Sequence, residues 1–178
     1  TRRMEFMSAL PAKRPQQTPP ALSAPVPSFA VSAALAQAYA ATANPHADIG
    51  PPREYVPAVQ AEAARVLAEF KPFTLPVPVA TLRLWLTPIP GGVRNEKTRE
   101  AIDAWMITVG MAVGTLEVGA FTEATQVEAL RTFSFFPAPA DVYRIVGEPA
   151  AILRGRRLTL ERIIAGKTAL PAGGANDS

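Results

Sequence analysis

"PGGVRNEKTREAIDAWMITVGMAVGTL", residues 90–116, decides the fold class. Ile102, Trp105, Met106, Val109, Ala112, Val113 and Leu116 recur at intervals of three and four, which sets them on one face of an α-helix. Thr98, Arg99, Glu100 and Asp103 cover the outside. Asn95 suits the N-cap and Glu96 suits the positive end of the helix dipole. Trp105 and Met106 lie on this stripe, so they read as core packing rather than as a ligand box. Gly91 and Gly92 read as a turn, because the Lys-Ser/Thr pair of a phosphate loop does not follow them.

Towards the C-terminus, Gly114 and Gly119 loosen the chain, and Thr122 caps a further helix with Val127, Leu130 and Phe133 facing inward. "RTFSFFPAPADVYRIV", residues 131–146, comes next. Phe135 and Phe136 end one helix in an aromatic plug, Pro137 breaks it, and Pro139 takes the first turn of another. Asp141 then sits near the positive helix end, Val142, Ile145 and Val146 supply a buried side, and Tyr143 keeps its hydroxyl in water. The stretch is first of all a joint between helices; a partner-binding groove formed by Phe135, Phe136 and Tyr143 is the alternative. In "ILRGRRLTLERIIAGK", residues 152–167, Leu153, Leu160 and Ile164 share one side while Arg154, Arg156, Arg157 and Lys167 point away. Between Arg144 and Lys167 six basic residues stand against two acidic ones. Such a cluster either follows a phosphate backbone or forms a solvated face, and the solvated face is preferred because no aromatic residues interleave with the arginines for base stacking.

Towards the N-terminus, "VATLRLWLTPI" reads as a short helix presenting Val79, Leu82, Trp85 and Leu86 and ended by Pro88 and Pro90. "FTLPVPV" is an extended connector. Val59, Ala63, Val66, Leu67 and Phe70 mark one face of a helix between Pro57 and Pro72. Fifteen of the 19 prolines fall at or before Pro90, so the first part of the chain resists regular structure. The sequence therefore predicts an all-α fold in three parts. Residues 1–51 form a disordered Pro/Ala-rich leader, with a transient alanine-rich helix at 29–43. Residues 52–167 form a small irregular bundle of four to five short helices, and 168–178 a disordered tail.

Composition removes whole classes of chemistry. Without cysteine there is no disulfide, thiolate nucleophile or zinc-thiolate site, which fits a reducing cytoplasm. The single histidine, His46, lies in a turn-like part of the leader, a poor base for a triad or metal cage. Glu117, Glu123, Glu128 and Asp141 fall at cap or helix-surface positions rather than as a catalytic pair. No catalytic residue, cofactor or metal is expected. No apolar run is long enough to span a bilayer, and no membrane association is expected.

Residues 86–165, above all the Phe-Phe-Pro-x-x-Ala-Asp joint at 135–141, resemble a small helical module of phage and prophage proteins encoded near replication genes. The region is loosely similar to the lambda-type replication protein P family of helicase loaders. That resemblance implies a DNA-replication context with a replicative helicase as the protein partner. From the residues themselves, two functions stand: an adaptor docking a protein partner through its helical module, or a nucleic-acid-associated module using Arg154, Arg156, Arg157 and Lys167. Oligomeric state is open on this reading.

Overall fold

Proline opens two of the three longest helices, because its fixed φ suits the first turn and its missing N–H falls where no intrahelical partner exists. In the computed structural model, which describes residues 21–43, 55–94 and 97–166, these are α2 (Pro57–Phe70) and α7 (Pro139–Ile164). The others are α1 (Ala33–Ala43), α3 (Val79–Leu86), the single turn α4 (Ile89–Gly92), α5 (Arg99–Val113) and α6 (Glu123–Thr132). Two 3-10 turns lie at Lys71–Thr74 and Val118–Ala120. The described residues hold no strand, only isolated bridges between Ser23 and Thr122 and between Pro76 and Glu117. The fold is all-α, as expected, and within residues 52–167 it holds five helices besides the single turn α4.

The largest difference lies at the C-terminus. Val142–Val146 and Leu153–Ile164, which look like separate segments in the sequence, belong to one 26-residue helix, α7. Pro149 sits inside it and has no N–H to offer the Ile145 carbonyl, so the helix continues with one rung of its ladder missing. Burial on both sides of the proline holds it together. Val142, Val146 and Ala150 enter one core cluster with Leu82, Trp85, Trp105, Val109, Val113 and Phe121. Leu153, Leu160 and Ile163 enter a second with Leu35, Val59, Ala63, Val66 and Phe70. α7 is the spine shared by both. It ends at Ile164, and just beyond it Gly166 takes a φ of 65°, which favours glycine, and donates its N–H to the Ile163 carbonyl at 3.1 Å.

The expected leader contains a seated helix. Of residues 1–51, those at 21–43 are described, and α1 packs against α2 and α7 with Leu35 and Ala38 buried. Upstream, Phe29 stands edge-on to Phe70 at 6.1 Å between ring centroids. Apolar contact thus fixes an alanine-rich helix that has little stability alone. Residues 1–20 and 44–51, with His46, lie outside the described residues, as do Lys167 and the expected tail at 168–178.

Smaller corrections follow from where helices begin. α5 starts at Arg99 with Thr98 as N-cap, its hydroxyl accepting from the Ala101 N–H at 3.3 Å; the expected cap, Asn95, lies outside the described residues. The predicted stripe buries Trp105, Val109, Val113 and Leu116, but Ala112 is exposed. Val79 opens α3 on its outer side rather than facing inward. Thr122 caps α6 as predicted and exchanges hydrogen bonds with Thr125.

Candidate functional site

Two places collect the residues that the sequence singles out, and a third lies apart from them. At the joint, Trp105 Nε1 donates to the Pro137 carbonyl at 2.8 Å, and Phe136 lies against the Trp105 ring at 4.8 Å between centroids. Asp141 accepts from the Ala138 N–H at 3.0 Å and from Arg144 at 2.9 Å, closing the first turn of α7. The plug is therefore built by Phe133 and Phe136, and Phe135 points out, 60% exposed. A concavity of about 460 Å³ lies here, lined by Phe135, Phe136, Asp141, Arg144 and Ile145 among others. Tyr143 is not part of it. Its ring lies over Gly147, where an added Cβ would come within 2.8 Å. The expected grouping of Phe135 and Phe136 with Tyr143 is not formed.

The basic cluster is divided by its partners. Arg154 does not point away: Nε and one terminal nitrogen donate to the two oxygens of Glu117 at 2.7 and 3.0 Å. Glu117 is not a surface carboxylate, being 4% exposed and the only buried charged residue among those described. The 75–77 segment pairs with residues 116–118 through Val77 N–H to the Leu116 carbonyl and Val118 N–H to the Leu75 carbonyl. That pairing turns the carboxylate towards α7, and the two-point contact holds the Arg154 proton more firmly than usual. Arg157 lies 3.8 Å from Glu161. Arg156 alone of the three enters no ion pair among the described residues.

The third place was not visible in the sequence. Between α3 and α5 runs a groove of about 600 Å³ with Val77, Leu82 and Leu86 beneath it. Val79, Ile107 and Met111 stand along it, 69%, 65% and 82% exposed. Arg83 on α3 and Asp103 on α5 supply opposite charges and form no salt bridge among the described residues. Trp85 fixes the α3 wall from behind: its Nε1 donates to Thr125 at 3.2 Å, its ring meets Phe121 edge-on, and its carbonyl accepts from Gln126 at 2.9 Å. One signal was available in advance. Trp105, Met106 and Ile107 are consecutive, so a helix that buries Trp105 must turn Ile107 away, and Met111 shares that outer face one turn later.

The chain matches no protein-family model, no curated protein sequence and no solved structure.

Proposed function

We propose that this chain is a non-enzymatic adaptor that receives an amphipathic helix of a protein partner in the groove between α3 and α5. The exposed row of Val79, Ile107 and Met111 carries this reading. Large apolar side chains held in water beside a preformed groove gain about 25 cal/mol for each Å² that a partner covers. Methionine adapts to varied shapes, and a helix with apolar residues at every third or fourth position matches such a groove. Arg83 on one wall and Asp103 on the other favour a partner helix with an acid on one flank and a base on the other. The resemblance of residues 86–165 to phage replication modules makes a replicative helicase the first partner to try.

Nucleic-acid binding through Arg154, Arg156 and Arg157 has less support, because Glu117 occupies the Arg154 donors and Glu161 lies beside Arg157. A titration of fluorescently labelled full chain with purified helicase, at low and high salt, tests the choice. Docking in the groove predicts affinity that changes little with salt and falls by tenfold or more in Ile107→Glu/Met111→Glu, on the order of 1.4 kcal/mol or more, with circular dichroism unchanged. Affinity untouched by the double variant, or tight DNA binding that weakens steeply with salt, overturns the proposal.

A further inference from the structure

A second concavity belongs to the other core cluster. Residues 27–31, α1, α2 and α7 border an open-sided cleft of about 370 Å³, with buried Leu35, Val66, Phe70 and Leu160 in its lining. Phe29, edge-on to Phe70, also lines it. This volume lies in the range of small-molecule sites, about 300 to 1,000 Å³. Three residues of its lining carry polar side chains, Ser28, Tyr39 and Arg156. Arg156 is also the arginine of its cluster that has no acidic partner among the described residues. Burial pushes the Tyr39 phenol above its usual range, an effect opposed by the Arg156 cation and more weakly by Thr159. Tyr39 therefore stays a hydrogen-bond donor at neutral pH.

We propose that this cleft binds a small amphipathic organic acid, its apolar tail against Leu35, Val66 and Phe70 and its carboxylate against Arg156 and the Tyr39 hydroxyl. An apolar lining with a few convergent polar groups is the general form of a small-molecule site. A lone guanidinium selects the charge, because a carboxylate accepts its fork of N–H donors whereas an alcohol cannot match it and an ammonium is repelled. The site is separate from the α3–α5 groove and stands whether or not that groove docks a helix.

Decanoate, decanol and decyltrimethylammonium share one tail and differ in the head group. Each is titrated below its critical micelle concentration into the ¹⁵N-labelled full chain, with the Leu35 and Val66 amide shifts as the readout. Decanoate is expected to bind at least about tenfold more tightly than decanol, the difference a charge-assisted contact supplies. Arg156→Gln should remove that preference while decanol binding stays. Arg156→Lys, which keeps the charge, should retain part of it, and Tyr39→Phe should weaken decanoate more than decanol. Equal affinity for acid and alcohol, a preference for the ammonium, a preference that survives Arg156→Gln, or the absence of saturable shifts at the cleft overturns the proposal.

Discussion

Trp105 joins a large apolar ring to one polar bond, its Nε1 donating to the Pro137 carbonyl that ends the joint. Trp105→Ala removes the ring, the contact with Phe136 and the bond together, and should cost about 3–5 kcal/mol by urea denaturation. Trp105→Phe keeps much of the ring and should cost less, since what remains unpaired is a single carbonyl. The core role of Trp105 was legible because it depends on local spacing. Glu117 was not, because an acid beside glycines reads as surface and its partner lies 37 residues further along the chain. Arg154→Ala should destabilise the fold by about 2 kcal/mol, less than the ~3–5 kcal/mol of a fully buried pair, because Arg154 is 47% exposed and water can reach the vacated carboxylate. Arg156→Gln is the matched control and should stay within about 0.5 kcal/mol, as an exposed residue without a partner does. Equal stabilities for the two variants in urea would remove Glu117 from any structural role.

At the scale of the element, α1 shows why composition alone misleads. Alanine buries too little surface to hold a helix in place, and the sequence reads accordingly as a transient one. What seats it comes from elsewhere. Ser32 caps α1 by accepting from the Leu35 N–H at 3.1 Å, while its own N–H and hydroxyl donate to the two Glu62 oxygens at 2.7 and 2.6 Å. At the other end, Thr42 and the Tyr55 hydroxyl lie 2.6 Å apart. Glu62 thus places a carboxylate of α2 at the positive end of α1, a long-range contact that no periodicity reports. The hydroxyl and the N–H of Ser32 hold the Glu62 carboxyl below its usual range, with Arg65 adding a smaller effect against some desolvation. Its folded pKa lies below its unfolded one, so its contribution is present above the unfolded value, about 4.3, and is lost as pH falls through the folded value. Acid should therefore loosen α1, read as faster hydrogen exchange at Leu35 and Ala38 relative to Val113. Glu62→Gln should exchange faster at neutral pH already and lose most of the acid dependence. An unchanged acid response in Glu62→Gln would assign the effect to another carboxylate.

For the molecule as a whole, α7 decides whether there is one cooperative unit or two. Its first half lies in the cluster beneath the α3–α5 groove, and its second half in the cluster beneath the cleft. The sequence obscured this continuity because glycine and proline, which normally end helices, occur as Gly147 and Pro149 in the middle of it. Contacts across the break restore what the ladder loses. Gly119 brings the Val118–Ala120 turn so close to α7 that an added Cβ would lie 2.9 Å from Leu153 and 3.0 Å from the Phe73 carbonyl. One turn thus touches the second half of α7 and the segment after α2, while its neighbours Ala120 and Phe121 enter the first cluster. Unfolding either cluster alone would strip this turn and half of α7 of their partners, so the two should unfold together. Methyl signals of Val113 and Ile163, followed in one urea titration, should disappear at a common midpoint. Ala150→Gly, which weakens the helix by about 1 kcal/mol at its centre, should lower both midpoints by the same amount. A saturating ligand of the cleft should raise both through an added stability of about 2.7 kcal/mol at a hundredfold excess over its Kd, although Val113 lies in the other cluster. Separate midpoints, or a ligand shift confined to Ile163, would divide the chain at Pro149 into two units and uncouple the groove from the cleft.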